Sequence, residues 1–271
     1  MNEHENTTVI GCGNLGYALV EGLLRAGYPP ERLSVTRRRT EALSDLTARG
    51  VRTSGDNRAA VADARLVVLA VEPDQVAGVL ADLGPALDPA RHVLISCAAG
   101  FSLADLHDAT PSGLPCLRAM PNTAAAIGQA ITCLVPGEAS AASADMAEAL
   151  FAQVGRVVRV QEELMAAATV LGACGVAYAL RFVRAASQGG IEIGFGAETA
   201  RLIAAQTVMG AAALLLERGH HPEREIDRVT TPKGCTIAGL NEMEHQGFSS
   251  ALIKGITTSY GKIAHLSDPK Q

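Results

Sequence analysis

The sequence predicts a doubly wound parallel α/β sheet followed by an all-α domain. Three observations carry that prediction. Short apolar, β-like runs alternate with helical stretches over the first 160 residues. A glycine-rich turn, Gly11-Cys12-Gly13-Asn14-Leu15-Gly16, joins the first run to the first helical stretch. Beyond about Val160 the strand signals stop and long alanine-rich stretches take over. The expected domains are residues 1–160 and residues 161–271.

Thr7–Ile10 reads as the first strand, and Leu15 to Ala26 as an amphipathic helix closed by Gly27. Arg32–Thr36 is a second strand, and Thr40–Arg49 a helix ending at Gly50. Leu66–Val71 is a continuous apolar run, the pattern of a parallel strand covered on both faces. Helix Pro73–Leu83, strand His92–Ser96, strand Ile131–Val135 and helix Ser140–Val154 complete the α/β pattern. Four helices follow, at 162–188, 197–218, 236–246 and 249–266. Their breaks are expected at Gly189-Gly190, at Gly219-His220-His221-Pro222 and at Gly247. The first two are apolar on more than one face, which predicts a homodimer, or a larger assembly built from it, through intertwined C-terminal helices.

Composition narrows the function class. With 48% hydrophobic and 19% charged residues, the 271-residue chain has ample core material and no signature of disorder. A net charge of −5 argues against a nucleic-acid or anionic-membrane surface. The six cysteines are scattered, with no CxxC and no Cys/His pair at ligand spacing. They read as buried small hydrophobes in a reducing compartment, with no metal site expected. Met1–Thr8 is polar and lacks the apolar stretch of a signal peptide, so a cytoplasmic location is expected. Leu164–Leu180 carries no charge but contains Thr169, Gly172, Gly175 and Tyr178. No second such segment is evident, so it reads as an oligomer-core helix, not a membrane span.

The glycine turn has a steric logic. Gly11 makes the tight turn, Gly13 lets the backbone approach a pyrophosphate, and Gly16 permits close helix–strand packing. The anion then rests on free N–H groups at the helix start, spanning Asn14 and Leu15. This is a Rossmann-like dinucleotide fingerprint. The second strand runs into Thr36-Arg37-Arg38-Arg39, without the acid that binds both ribose hydroxyls in NAD enzymes. Arg37 and Arg38 suit a 2′-phosphate, so NADPH is the expected cofactor, with NADH as the second candidate.

Further segments resemble pyrroline-5-carboxylate reductase. Ala70-Val71-Glu72-Pro73 is similar to the family's AVKP turn and Ser96-Cys97-Ala98-Ala99-Gly100 to its SCAAG turn. Arg118-Ala119-Met120-Pro121-Asn122-Thr123 resembles its RxMPNT segment, and Val229–Leu240 its VTSPGGTTIAGL signature. The resemblance runs from about Thr7 to Lys262. It implies a dinucleotide domain, a helical substrate and dimerisation domain, and NAD(P)H-dependent reduction of 1-pyrroline-5-carboxylate to proline. It also implies cofactor contacts at Ala70, Val71, Glu72, Pro73, Cys97, Ala98, Ala99, Met120, Pro121 and Asn122, with Asn57 near the adenosine phosphate.

The resemblance makes Thr236 the catalytic candidate, its hydroxyl bonding the imine nitrogen; an N-cap role for Thr231 or Thr236 is the alternative. Backbone amides of Gly234, Cys235 and Thr236 form a candidate carboxylate nest, with Lys233 adding charge and Gly175 leaving room for the ring. Four departures fall on the substrate side: Glu72 for the AVKP lysine, an altered 172–176 segment, Lys233 for a glycine and Cys235 for a threonine. Reduction of another cyclic imine carboxylate, such as a piperideine carboxylate, and a non-catalytic NADPH-binding sensor are therefore the competing readings.

Overall fold

The computed structural model describes residues 4–266, so of the polar stretch Met1–Thr8 the first three residues lie outside the described residues. Strand β1 (Thr7–Ile10) leads into helix α1 (Asn14–Arg25), followed by β2 (Leu33–Thr36), α2 (Ser44–Ala48) and β3 (Arg52–Ser54). Helix α3 (Asn57–Val61), β4 (Leu66–Leu69), α4 (Val76–Leu83), β5 (Val93–Ser96) and α5 (Leu103–Asp108) come next. Then β6 (Cys116–Met120), β7 (Ala130–Val135), α6 (Ala141–Ala152) and β8 (Gly155–Arg159) complete one sheet, ordered β3-β2-β1-β4-β5-β6-β7-β8. The order reverses beside β1, where Val9 pairs with Val35 on one side and Val68 on the other.

Side-chain alternation builds the two core layers. Val9, Leu66 and Val68 point into one cluster with Leu19, Leu23 and Phe151; Ile10, Val67 and Leu69 point into the other with Leu80, Leu83 and Leu106. Each such side chain removed from water contributes about 1.5–3 kcal/mol, which is why the apolar run of β4 was so legible as a buried strand.

Three strands escaped the sequence reading. Segments β3 and β8 are edge strands with exposed residues, and β6 carries a charge, Arg118, in a wholly buried run. The sheet is also not wholly parallel, since β7 runs antiparallel to β6. Only residues 121–129 connect them, too few for a crossover, which takes a dozen or more.

In the helical region, α7 (Met165–Ala168) continues through a π-turn at Thr169–Cys174 into α8 (Gly175–Glu192). The break expected at Gly189-Gly190 does not occur there. A Cβ on Gly190 would sit 3.0 Å from the Ala200 Cβ, so this glycine serves close helix packing, and the chain turns at Gly194, φ +111°. Helix α9 (Ala197–Arg218) is followed by an unforeseen short helix, α10 (Pro222–Val229), opened by Pro222. His220 and His221 do lie in the intervening turn; His220 pairs with Glu225, and His221 accepts the Glu223 N–H to cap α10. Helices α11 (Cys235–His245) and α12 (Phe248–Leu266) end the described chain.

Among the described residues two compact units result: 4–176 with 259–266, and 177–258. Secondary structure changes character near residue 160, whereas packing changes at Val176, because segment 162–176 packs with the sheet.

The expectation that no second membrane-length segment exists is overturned. Residues 162–192 and 197–218 are both long and apolar enough to span a bilayer by length and composition. In the second, the charges at Glu198, Arg201, Glu217 and Arg218 leave only residues 202–216 uncharged, a stretch shorter than the helix itself. Little of either apolar stretch is covered within one copy: Leu171 is 72% exposed and Leu202 66%.

Candidate functional site

The turn between β1 and α1 is built around three glycines with different steric duties. Gly11 has φ +90°, and a Cβ there would lie 2.4 Å from Val71 Cγ1 and 2.9 Å from the Ala70 carbonyl oxygen. The end of β4 thus leaves room only for glycine. A Cβ on Gly16 would lie 2.4 Å from the Gly11 carbonyl oxygen, so the first turn of α1 rests on the loop itself. A Cβ on Gly13 would meet nothing within 4 Å, because that position faces open space. Gly13 is also the N-cap of α1, which has neither a capping side chain nor an acid in its first turn. Bare amides and an open approach are what a pyrophosphate requires.

The Cys12 N–H donates to the Thr36 carbonyl oxygen at 2.8 Å and so does not face an anion. Cys12 instead forms a buried wall, its thiol pushed up to about 11 by burial. Among the turn residues Asn14 is exposed, Leu15 half-buried and Gly16 buried.

A cleft of about 770 Å³ opens at this turn. It gathers Gly11, Cys12 and Gly13, Arg37 and Arg38, Asn57, and the Ala70-Val71-Glu72 segment after β4. All three arginines from Arg37 to Arg39 are exposed, and among the described residues none pairs with a carboxylate. Asn57 Nδ2 donates to Asp82 Oδ2 at 3.4 Å, and Arg58 Nε stands 2.9 Å from Asp82 Oδ1, so α3 is tied to α4. The opposite wall was not foreseen: Gln75, Gly78, Val79 and Asp82 line the cleft. Their three- and four-residue spacing marks one helix face, but a largely polar face reads as solvated unless a cavity is seen beside it.

Other expected cofactor residues lie outside this cleft. Pro73 is exposed at the start of the short helical turn before α4. Cys97 and Ala98 are buried where β5 ends, with Ala99 half-buried, and burial pushes the Cys97 thiol up to about 12. Met120 belongs to the core cluster, and Pro121 is buried beside it. Asn122 is buried and fully engaged: its Oδ1 accepts the Ala124 N–H at 3.1 Å and its Nδ2 donates to the Gly172 carbonyl oxygen at 3.0 Å.

On the substrate side, Gly175 is half-buried where the π-turn passes into α8. The turn Thr231-Pro232-Lys233-Gly234 opens α11. Lys233 takes φ +57° and is, among the described residues, the only non-glycine with a positive φ. A Cβ on Gly234 would lie 2.5 Å from Thr231 Oγ1, so glycine is required there. Gly234, not a threonine, is the N-cap, and no side chain caps the helix. The Gly234 N–H is already given to the Thr231 carbonyl oxygen at 3.0 Å, which removes it from the expected nest. Cys235 and Thr236 remain, exposed and half-buried respectively, at a helix start without acids.

Among the described residues no three His, Cys, Asp or Glu side chains cluster as metal ligands. A mainly parallel sheet whose glycine turn opens a bare helix start beside unpaired arginines defines a Rossmann-type, dinucleotide-dependent oxidoreductase.

Residues 162–266 match the family model described as pyrroline-5-carboxylate reductase dimerisation, and residues 6–100 that described as NADP oxidoreductase, coenzyme F420-dependent. Pyrroline-5-carboxylate reductase 1 of Dictyostelium discoideum is 42% identical over 97% of this chain, which spans about half (50%) of that relative's length. Pyrroline-5-carboxylate reductase 2 of the same organism is 37% identical over 97% of this chain and 93% of its own. The structure of a pyrroline-5-carboxylate reductase from Coxiella burnetii superposes with TM-score 0.88 at 31% identity, covering 98% of this chain and 100% of that one. The chain belongs to the pyrroline-5-carboxylate reductase family.

Proposed function

We propose that this chain reduces 1-pyrroline-5-carboxylate to L-proline with NADPH, as a cytoplasmic homodimer. The observation that carries the reading is the pair of bare, glycine-led helix starts, at Gly13 and Gly234, in a chain whose relatives bear that enzyme's name. One start suits a pyrophosphate and the other a substrate carboxylate.

Bound NADPH supplies hydride. The protein's share is largely positional, because a protonated cyclic imine is already electrophilic and orientation lowers much of the barrier. Thr236 donates its hydroxyl toward the ring nitrogen and holds the imine plane, while the Cys235 and Thr236 amides take the carboxylate. Lys233 adds positive charge beside them. Arg37 and Arg38 bind the 2′-phosphate, and Gly13, Asn14 and Leu15 present the pyrophosphate amides. The ends of β4 and β5, Ala70–Pro73 and Cys97–Ala99, border the nicotinamide half, with Met120, Pro121 and Asn122 stiffening that border from the core. Residues 1–160 act as the dinucleotide-binding domain and 161–271 as the substrate and dimerisation domain. The open apolar faces of α8 and α9 are covered by a second copy, the alternative to a bilayer that the dimerisation family model supports.

Lys233 and the altered 172–176 segment favour one second reading, a six-membered imine carboxylate as substrate. NADPH oxidation followed at about 340 nm with pyrroline-5-carboxylate, then with the six-membered analogue, decides between them. Turnover with neither, despite cofactor binding, would overturn both in favour of a nucleotide-binding sensor.

A further inference from the structure

A second cavity lies on the sheet unit, sharing no lining residue with the nucleotide cleft. It measures about 300 Å³, at the lower end of ligand-sized clefts. Arg118 of β6 lines it, with a side chain only 8% exposed. Glu162 Oε1 stands 3.2 Å from Arg118 Nη1, and the same oxygen accepts the Leu103 N–H at 2.6 Å. That pairing uses one side of the guanidinium. Nε is buried without a partner, and Nη2 makes no hydrogen bond among the described residues. The Nε/Nη2 edge is the planar fork that holds a carboxylate by two parallel N–H···O bonds. A buried guanidinium nitrogen left unpaired is expensive, so an acceptor belongs at Nε.

The surroundings restrict what the acceptor is. Glu162, Glu163 and Asp105 all line the cavity, so one guanidinium faces three carboxylates. A simple anion is disfavoured by that balance. Asp105 is committed to Ser102, accepting its N–H at 2.8 Å and its hydroxyl at 2.6 Å. Glu163 is exposed and makes no hydrogen bond or ion pair among the described residues. A ligand that brings a carboxylate for Arg118 and an ammonium for Glu163 satisfies both ends.

We propose that this cavity binds a small zwitterionic α-amino acid, at a site additional to the one where the reaction takes place. Thr169, the first residue of the π-turn, lines the same cavity, so an occupant bears on the helix that Asn122 anchors at Gly172. The cavity argument does not depend on the proposed reaction; the choice of L-proline as probe does.

The test is equilibrium dialysis of labelled L-proline against the full chain saturated with NADP⁺, with turnover measured in parallel. Wild type should bind about two molecules per chain, and both Ala166→Phe, which fills the cavity, and Thr236→Ala should bind about one. Glu163→Gln on the exposed rim should weaken one of the two sites by about tenfold with turnover unchanged, and acetate, which lacks the ammonium, should not displace proline from it. One molecule in wild type, unaffected by Ala166→Phe and lost in Thr236→Ala, would overturn the cavity site and leave the proposed reaction standing. Cavity binding without turnover would sink the reaction and leave the cavity site. If Ala166→Phe fails to fold, two unchanged affinities in Glu163→Gln overturn the proposal.

Discussion

Asn122 holds the Gly172 carbonyl oxygen at 3.0 Å through Nδ2, while its Oδ1 accepts the Ala124 N–H at 3.1 Å. One buried carboxamide thereby ties the turn after β6 to the π-turn that precedes α8. A π-turn is a strained insertion in a helix and persists where tertiary contacts hold it. Asn122→Ala should therefore cost about 1–3 kcal/mol, the usual penalty for orphaning buried polar groups. Asn122→Asp, which sets a buried carboxylate oxygen against the Gly172 carbonyl oxygen, should cost at least as much at neutral pH. Urea unfolding measures both, and a loss under about 0.5 kcal/mol for the alanine variant would make the bridge incidental.

The glycine turn makes a contrast inside one loop. Gly13→Val adds a side chain into open space, so the fold should survive while NADPH binding falls by roughly 100-fold or more through blockage of the anion approach. Gly16→Val drives a Cβ to within 2.4 Å of backbone and should destabilise the domain itself. Thermal melts beside cofactor titrations separate the two, and retained binding in Gly13→Val would refute the placement of the pyrophosphate.

Arg37→Ala with Arg38→Ala should narrow the preference for NADPH over NADH by about 10-fold or more, mainly through KM for NADPH. NADH kinetics act as the internal control. An unchanged ratio would reduce the cluster to surface charge.

Thr236→Ala should lower kcat by roughly 10- to 100-fold with NADPH affinity nearly unchanged, as expected when one hydrogen bond made in the transition state is lost. Wild-type kcat would remove this hydroxyl from the reaction.

The buried thiols set an alkaline limit on stability. Cys12 and Cys97 are raised from 9.0 to about 11 and about 12, chiefly by burial. Above pH 9 the unfolded chain loses protons that the folded chain keeps, so stability falls as pH rises from about 9 toward 12, by up to ~1.4 kcal/mol per pH unit per thiol. Cys97→Ala should flatten that slope when urea melts at about pH 8 and about pH 10.5 are compared. An equal slope in wild type and variant would show that Cys97 does not titrate with unfolding.

Much of the cleft at the glycine turn was legible because its lining is local in sequence. Gly11, Gly13 and Gly16 stand at fixed offsets after an apolar run, and the arginines follow the second run directly. The far wall of the cleft was not legible, because Gln75, Gly78 and Asp82 come from a helix whose polar face is indistinguishable from a solvated one in one dimension. Asn122 shows the opposite case. Its segment was conspicuous, but its two hydrogen-bond partners place it in the scaffold.

By itself the sequence determined that β1, β2, β4 and β5 are buried strands, that a glycine turn joins β1 to α1, and that the C-terminal helices carry more apolar surface than one copy covers. These follow from side-chain periodicity and from glycine's freedom at φ values closed to other residues. Tertiary structure alone decided that β7 reverses against β6, that the Cys12 and Gly234 amides are already taken, and that Arg118 is buried with its Nε unpaired. Each of those depends on which distant groups meet, and hydrogen-bond satisfaction is a property of the folded neighbourhood, not of the residue.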